Sequence, residues 1–220
     1  NPSLAAQLEG RQYGLTASVS LTAENGRGEP SVSLFAQNST VDAGATWAAL
    51  NPNNGYRFSD VASFNAQSDT LGVAINSATA PALEVVEGDR LELGVFITED
   101  QQRVRTSHTV QVLTVVPNEG QGAMAGSQSP AVFADLATAQ TMLGMEGRLN
   151  RMALAFKPSA SDDDVRAALD GIEAVFDDVL TAEDVGLVWT TDATTSSLTL
   201  SSSVGLQRLS GEDVLSLIHI

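Results

Sequence analysis

The sequence predicts an α+β fold, in which most segments are strands of a small, strongly curved sheet and only a few are helices. Residues 15–21 and 32–36 alternate apolar and polar side chains with the period of a half-buried strand, and only a few segments have helical spacing. The chain has 220 residues, of which 43% are hydrophobic and 17% are charged. This composition and length are typical of a folded protein with a sizeable core.

The first half of the chain is predicted to be mostly strands joined by turns. Turn residues at 24–29 connect the first two strands into a hairpin. The remaining predictions there are short helices at 42–50 and 59–64 around a loop at 51–55, a strand at 71–75, a helical turn at 79–85, and a long hairpin from residues 91–97 and 108–116 around a loop at 99–102.

The second half contains the stronger helix signals. Asp135 is placed to cap a helix that Gly144 ends, after a loop at 120–129. Residues 151–156 alternate like a strand, and Ser161 then begins an amphipathic helix that reaches Val179. Residues 187–189 and 198–200 predict a final hairpin.

Charge and cysteine content exclude several classes of function. Acidic residues outnumber basic ones by 27 to 11, giving a net charge of −16, and the only lysine is Lys157. Such a surface repels nucleic acid and anionic lipid, so we expect neither as a partner. It fits a high-salt organism or an acidic bias in a GC-rich genome. Cysteine is absent, which excludes disulfides, thiolate nucleophiles and cysteine-ligated metals.

No set of residues predicts an enzyme. A Ser/His/Asp triad needs a histidine base, and the two histidines are His108, interpreted as a solvent-facing strand residue, and His219 in the last residues. Lys157 is followed by Pro158 and preceded by no glycine-rich run, which excludes a P-loop. We therefore predict no catalytic, cofactor-binding or metal-binding residue. A carboxylate-based hydrolase remains an alternative among 27 acidic residues.

Three short motifs have a structural explanation beside a functional one. Gly120, Gly122 and Ala125 have the spacing of a dinucleotide fingerprint, but poor helix material follows, which indicates a loop. Residues 162–164 are three aspartates, which either cap the helix that follows or bind a cation. Residues 38–40 form an N-glycosylation sequon, a triplet that is common by chance.

The two ends suggest a segment of a longer protein. The chain starts at Asn1 rather than at a methionine and contains no apolar run of 18 residues. Its tail at 211–220 turns apolar, as either the start of a membrane helix or non-native sequence.

Several sequence motifs resemble a known family. They are Gly88-Asp-Arg-Leu-Glu-Leu93, Val132-Phe-Ala-Asp-Leu-Ala-Thr-Ala-Gln140 and Leu143-Gly-Met-Glu-Gly-Arg-Leu-Asn-Arg151. The chain is similar here to the MacB-like periplasmic core, the extracytoplasmic domain of FtsX-, MacB- and LolE-type ABC transporter permeases. Ala134 and Asp135 replace the family's usual Val-Pro, a change that concerns the start of a helix.

The resemblance implies a fold, a location and partners. It implies a discontinuous porter-like α/β unit of residues 1–40 and 148–200, with a small β-rich insert of 41–147. The domain would lie on the extracytoplasmic side of the cell membrane. Its partners would be its own transmembrane helices, through them a separate cytoplasmic ATPase subunit, and a second permease subunit in a homodimer.

The implied function is non-catalytic. The domain would relay ATP-driven movement of the membrane helices to a substrate or partner outside the membrane. The alternative is a secreted or surface-anchored binding module without enzymatic activity, which the acidic composition suits equally.

Overall fold

A computed structural model describes residues 8–38, 49–99, 102–118, 122, 129–147, 149, 151–156, 159, 161, 163–164, 166–167, 187–192 and 197–202. These residues contain nine strands and three helices. The strands are β1 (Leu8–Ala23), β2 (Gly28–Gln37), β3 (Leu71–Asn76), β4 (Arg90–Glu99), β5 (Gln102–Val116), β6 (Ala131–Asp135), β7 (Arg151–Phe156), β8 (Leu187–Asp192) and β9 (Ser197–Ser202). The helices are α1 (Phe58–Gln67), α2 (Thr79–Leu83) and α3 (Leu136–Leu143).

The chain forms two compact units. The barrel unit comprises Leu15–Thr40 and Ala45–Glu146, and the terminal unit comprises Asn1–Gly14, Val41–Gly44 and Gly147–Ile220. The first half of β1 belongs to the terminal unit and the second half to the barrel unit. The division predicted from sequence, residues 1–40 with 148–200 around an insert of 41–147 and a separate tail, remains a prediction.

The barrel unit is a closed, six-stranded mixed β-barrel in the order β1-β2-β6-β3-β5-β4, with β4 pairing back to β1. β2 runs parallel to β6 and β3 runs parallel to β5. β3 is antiparallel to β6, and β4 is antiparallel to both β1 and β5. Because the ring closes, each of its strands has a neighbour on both sides over at least part of its length.

The expected α+β fold, a mixed-sheet porter-like α/β unit with a small β-rich insert, is therefore wrong. Residues assigned to the two parts pair within one ring, as Leu21 with Leu93 and Leu34 with Val132 show. The physical reason is that β1 and β2 each have one apolar face. These faces are buried most fully by joining the apolar faces of the other four strands in a common interior.

The barrel interior confirms the predicted alternation. The inward residues Leu15, Val19, Leu21, Val32 and Leu34 are buried in one hydrophobic cluster with residues of β3, β4, β5 and β6. Each fully buried leucine or valine contributes about 1.5–3 kcal/mol. α2 and α3 also contribute side chains to this cluster, and they lie at opposite ends of the barrel because they follow the antiparallel strands β3 and β6.

A second hydrophobic cluster covers the outside of β2, β6, β3 and β5. There α1 packs Phe58 and Val61 against Phe35 and Phe133, and the rings of Phe35 and Phe133 stack with centroids 5.8 Å apart. Gly72 permits this approach: a Cβ atom there would lie 2.6 Å from Phe64 Cδ1. A side chain at residue 72 would therefore push α1 away from the barrel.

Helix predictions within the barrel unit are largely confirmed. α3 has Asp135 at its N-cap, where it accepts from the Thr138 N–H, and Gly144 at its C-cap with φ of 62°. α1 contains the helix predicted at 59–64. The helix predicted at 42–50 is wrong at its described end, because Leu50 and Asn51 turn towards Tyr56 with backbone bonds of 2.7 and 2.9 Å to its carbonyl. Residues 42–48 lie outside the described residues.

The described part of the terminal unit is an antiparallel sheet. Leu8–Gly14 of β1 pairs with β7, β7 pairs with β9, and β9 pairs with β8. The strand predicted at 151–156 and the final hairpin are thus confirmed. Ser161 begins a helical turn, as predicted, with its N–H and hydroxyl donating to Asp164 Oδ2 at 2.9 and 2.7 Å. The rest of the helix predicted to reach Val179, and the tail, lie outside the described residues.

Candidate functional site

His108 lies on the inner side of β5. It is paired with Leu93, which is fully buried in the barrel interior, so the two side chains point to the same side. His108 is half-buried, and its Nε2 is buried without a hydrogen-bond partner in the described structure. The interpretation of His108 as a solvent-facing residue is therefore wrong. His219 and Lys157 lie outside the described residues.

The short motifs fall mostly outside the described residues. Gly122 is described, whereas Gly120, Ala125, Ser39, Thr40 and Asp162 are not. Asp164 acts as a cap: hydrogen bonds from the side chain and backbone of Ser161 lower the pKa of its carboxyl group. Within the described ranges, no group of three histidine or acidic residues could hold a metal ion.

Asp135 belongs to a polar network that joins α1, β3 and α3. Its Oδ1 accepts from the Thr138 N–H at 3.0 Å, and its Oδ2 accepts from Asn65 Nδ2 at 2.6 Å. Asn65 also donates to the Gly72 carbonyl at 3.2 Å. A shallow cleft of about 410 Å³ lies beside these residues. The network satisfies the polar groups and positions α1, so its role is structural.

A buried asparagine fixes the carboxyl end of β3. Asn76 Oδ1 accepts from the N–H groups of Thr79 and Ala131 at 3.0 and 3.1 Å, and Asn76 Nδ2 donates to the Ser129 carbonyl at 2.8 Å. These bonds connect the starts of α2 and β6 to β3. They also supply hydrogen-bond partners, in place of water, for the polar backbone groups that the barrel buries.

A third polar group surrounds the end of β5. Glu87 Oε1 accepts from the Thr114 hydroxyl at 2.9 Å and from the Val115 N–H at 3.1 Å, and Asn51 Nδ2 donates to the Val115 carbonyl at 3.1 Å. Burial raises the pKa of the nearby Tyr56 phenol, and the charges of Asp60 and Glu87 raise it further. These side chains are likewise engaged in holding the fold.

The surface feature best suited to an external partner is a cleft on the outside of the barrel, here called the outer cleft. It has a volume of about 440 Å³. Its lining residues are Ser20, Leu21, Thr22, Gly28, Glu29, Pro30, Phe96 and Arg105. They come from β1, β2, β4 and β5, whereas α1 packs on the opposite side of the ring.

Arg105 crosses the strands beneath the outer cleft. A Cβ atom on Gly94 would lie 3.0 Å from Arg105 Nη2 and 2.5 Å from Ser20 Oγ, so the absent side chain gives the guanidinium room above β4. Arg105 Nη2 lies 3.7 Å from Glu92 Oε1, and both side chains are about half exposed (52% and 53%). An exposed pair at this distance is weak, which leaves the guanidinium able to exchange partners.

Phe96 is the aromatic side of the outer cleft. It is 54% exposed and is paired with Arg105 across β4 and β5. Two other large apolar residues are exposed among those described, Val86 and Val104, at 65% and 39%. Phe96 alone of the three lines the outer cleft.

The alternation of apolar residues in β4 gives a sequence signal for the outer cleft. Leu91, Leu93, Val95 and Ile97 occupy the inward positions of β4, so Phe96 stands at an outward position where a polar residue is usual. Gly94, the other unusual outward residue, is its neighbour on the same face. An aromatic residue and a glycine out of phase with the core pattern mark the cleft.

No model of a known protein family matches the chain, and no curated protein has a matching sequence. Among the described residues, the helices include none that is long and apolar enough to span a membrane.

Proposed function

We propose that this chain is a non-catalytic domain that binds a partner protein through the outer cleft. The observation that carries the proposal is the exposed Phe96 ring beside the weakly paired Arg105 guanidinium, which lies close over Gly94. The buried polar side chains of the barrel support the proposal indirectly, because Asp135, Asn76 and their neighbours are engaged in holding elements together.

The chemistry of the outer cleft suits a protein surface. Aromatic residues and arginine are enriched at the energetic centres of protein interfaces, where they bury large area and donate several hydrogen bonds. A partner would cover the exposed half of Phe96 and replace the distant carboxylate of Glu92 with a closer acceptor for Arg105. Each of these two changes favours association.

The test is the effect of Phe96→Ala on partner recovery. The full-length protein, purified from the cells that produce it after mild cross-linking, should retain a defined partner, and the F96A variant should lose it by about tenfold or more, as expected at an interface centre. Val86→Ala removes a still more exposed apolar side chain outside the cleft and should leave recovery unchanged. Equal recovery with both variants would overturn the proposal.

A more specific form of this function has support from sequence. In that form the chain is the extracytoplasmic domain of an ABC transporter permease at the cell membrane, and it relays ATP-driven movement to a substrate or partner. Its own transmembrane helices would connect it to a separate cytoplasmic ATPase subunit, and two permeases would form a homodimer. The porter-like unit forms no part of this proposal.

The residues behind the resemblance have local structural roles in the barrel. Gly88 has φ of 95° in the turn before β4, Val132 and Phe133 are buried in β6, and Gly144 ends α3. These are packing and turn positions of β4, β6 and α3. The permease setting itself depends on the sequence similarity.

Reading the full open reading frame on both sides of the chain tests the permease setting. We expect one apolar helix of about 20 residues shortly before Asn1 and three more after the domain. A cleavable signal peptide without later spans would contradict the permease setting and leave the secreted binding module as its replacement.

A further inference from the structure

Part of β5 has a strand on one side only. β5 pairs with β4 along its length from Gln102 to Gln111, whereas β3 joins it only from the Leu71–Val110 pair onward. Within the described structure, residues 102–109 therefore form a strand edge, here called the β5 edge. Its exposed residues are Gln102, Val104, Arg105, Ser107 and Thr109.

The backbone groups that face outward can be assigned from neighbouring hydrogen bonds. The backbone N–H and C=O of Val112 both point towards the β4 side. The carbonyl accepts from the Gly88 N–H at 2.8 Å, and the N–H donates to the Asp89 carbonyl at 2.9 Å. Successive residues of a strand direct these groups to opposite sides. The β4–β5 register is continuous from residue 102 to 111, so Arg103, Arg105 and Ser107 direct theirs away from β4.

The β5 edge also differs in charge from the rest of the chain. Residues 102–109 read Gln-Arg-Val-Arg-Thr-Ser-His-Thr, with two arginines, one histidine and no acidic residue, in a protein of net charge −16. Opposite charges at directly paired positions stabilise neighbouring strands, and like charges destabilise them. An incoming strand with acidic side chains is therefore favoured.

We propose that the β5 edge binds an extended acidic segment of a partner protein as an additional strand. The N–H and C=O groups of Arg103, Arg105 and Ser107, which face no other strand of the described residues, would supply the main-chain bonds, as in other cases of strand addition. An acidic side chain of the segment would take Arg105 from its 3.7 Å contact with Glu92. A second copy of this chain is disfavoured as the occupant, because two molecules of charge −16 repel each other.

The β5 edge shares Arg105 with the outer cleft, whereas Ser107 belongs to the β5 edge alone, so the test uses Ser107. A capped nine-residue peptide of alternating Glu and Val is titrated into the isotope-labelled full chain and followed by amide NMR. We expect saturable binding with the largest shifts at residues 103, 105 and 107. The corresponding Lys and Val peptide should bind at least about tenfold more weakly, by loss of the opposite-charge pairs.

Ser107→Pro removes one outward N–H and keeps the bonds from β5 to β4, because proline is tolerated on the open side of an edge strand. It should weaken binding of the Glu and Val peptide at least about tenfold, while the control Ser107→Thr keeps the N–H and should bind normally. Arg105→Gln should bring the affinities for the two peptides closer together. Val86→Ala, in the turn before β4 and outside both surfaces, should leave peptide binding unchanged.

Two results would overturn the proposal: S107P binding the Glu and Val peptide as tightly as the unchanged protein, or equal affinity for the acidic and basic peptides. Where circular dichroism shows that S107P is unfolded, the unchanged protein is titrated with two peptides. One is N-methylated at its odd-numbered residues and the other at its even-numbered residues. Loss of binding by only one of the two peptides supports strand addition, and equal binding by both contradicts it.

Discussion

The buried polar side chains of the barrel unit form hydrogen bonds that hold its strands and helices together. Asp135 shows the pattern best, because one carboxylate caps α3 and holds Asn65 of α1. Hydrogen bonds contribute modestly when made but leave a costly buried group when one partner is removed. Truncating such residues should therefore lower stability more than function.

We predict that Asp135→Ala lowers the free energy of unfolding by about 1–3 kcal/mol, through loss of the helix cap and of the acceptor for Asn65. Asp135→Asn retains an acceptor for the Thr138 N–H and should cost less. Urea unfolding followed by circular dichroism measures both. An unchanged midpoint for D135A would show that the network does not hold α1 and α3.

Ionisation of Tyr56 should make the stability of the barrel unit depend on pH in the alkaline range. Burial, followed by the charges of Asp60 and Glu87, raises the pKa of its phenol above the ordinary value near 10. Between the unfolded and the folded pKa, the folded state binds more protons, so stability falls as pH increases. The stabilisation is complete below pH 10 and is lost as pH rises through the folded pKa.

The corresponding measurement is the urea midpoint at intervals from pH 8 to pH 11.5. The unchanged protein should lose stability above about pH 10, and Tyr56→Phe should lose less over the same interval because it cannot ionise. Tyr13, the only other tyrosine, is retained in both proteins. Identical slopes would show that Tyr56 does not cause the loss.

Individual strands can be predicted from the sequence because the alternation of apolar and polar residues that indicates each one is local. The alternation of Leu15, Val19 and Leu21 reports which side of β1 is buried, and it is confirmed. Caps are equally local, as Asp135 and Gly144 show. Strand partners are different: nothing in β2 itself identifies β6, about one hundred residues later, as its parallel neighbour. The closed ring of strands therefore does not follow from the alternation.

The outer cleft was missed for a related reason. The outward position of Phe96 followed from Leu93 and Val95 on the other side of β4. Whether an outward residue is exposed depends on which elements cover that face, however. α1 covers the outside of β2, β6, β3 and β5 and leaves β4 open, which only the tertiary arrangement reveals.

The packing of α1 makes its own prediction. Gly72→Ala should destabilise the protein by about 1–3 kcal/mol, because the added methyl would overlap Leu113 and Phe64 in a close-packed layer. Gly28→Ala is the matched control on another strand, where the nearest atom to the new Cβ would be 3.6 Å away. It should change stability by less than about 0.5 kcal/mol. Equal effects of the two variants, in thermal unfolding, would contradict the close approach of α1.

At the scale of the whole molecule, the net charge of −16 should oppose folding through self-repulsion. Raising NaCl from 10 mM to 1 M shortens the screening length from about 30 Å to about 3 Å. We predict that Tm at pH 7 rises by at least about 3 °C, which corresponds to roughly 1 kcal/mol for a chain of this size.

A control for this salt effect comes from pH. Near pH 4.2, the isoelectric point calculated from the sequence, the net charge is close to zero and the repulsion should disappear. The same change in NaCl should then alter Tm much less. A salt response of equal size at both pH values would indicate that charge repulsion is not its cause.

Site-specific photocross-linking directly tests whether this protein meets its partner through the outer cleft. A benzophenone amino acid replaces Phe96 in the full-length protein, inside the cells that produce it, and Val86 in a parallel experiment. We predict one discrete cross-linked partner from residue 96 and none from residue 86, although Val86 is the more exposed of the two. No adduct at residue 96, or the same adducts at both residues, would contradict partner binding through the outer cleft.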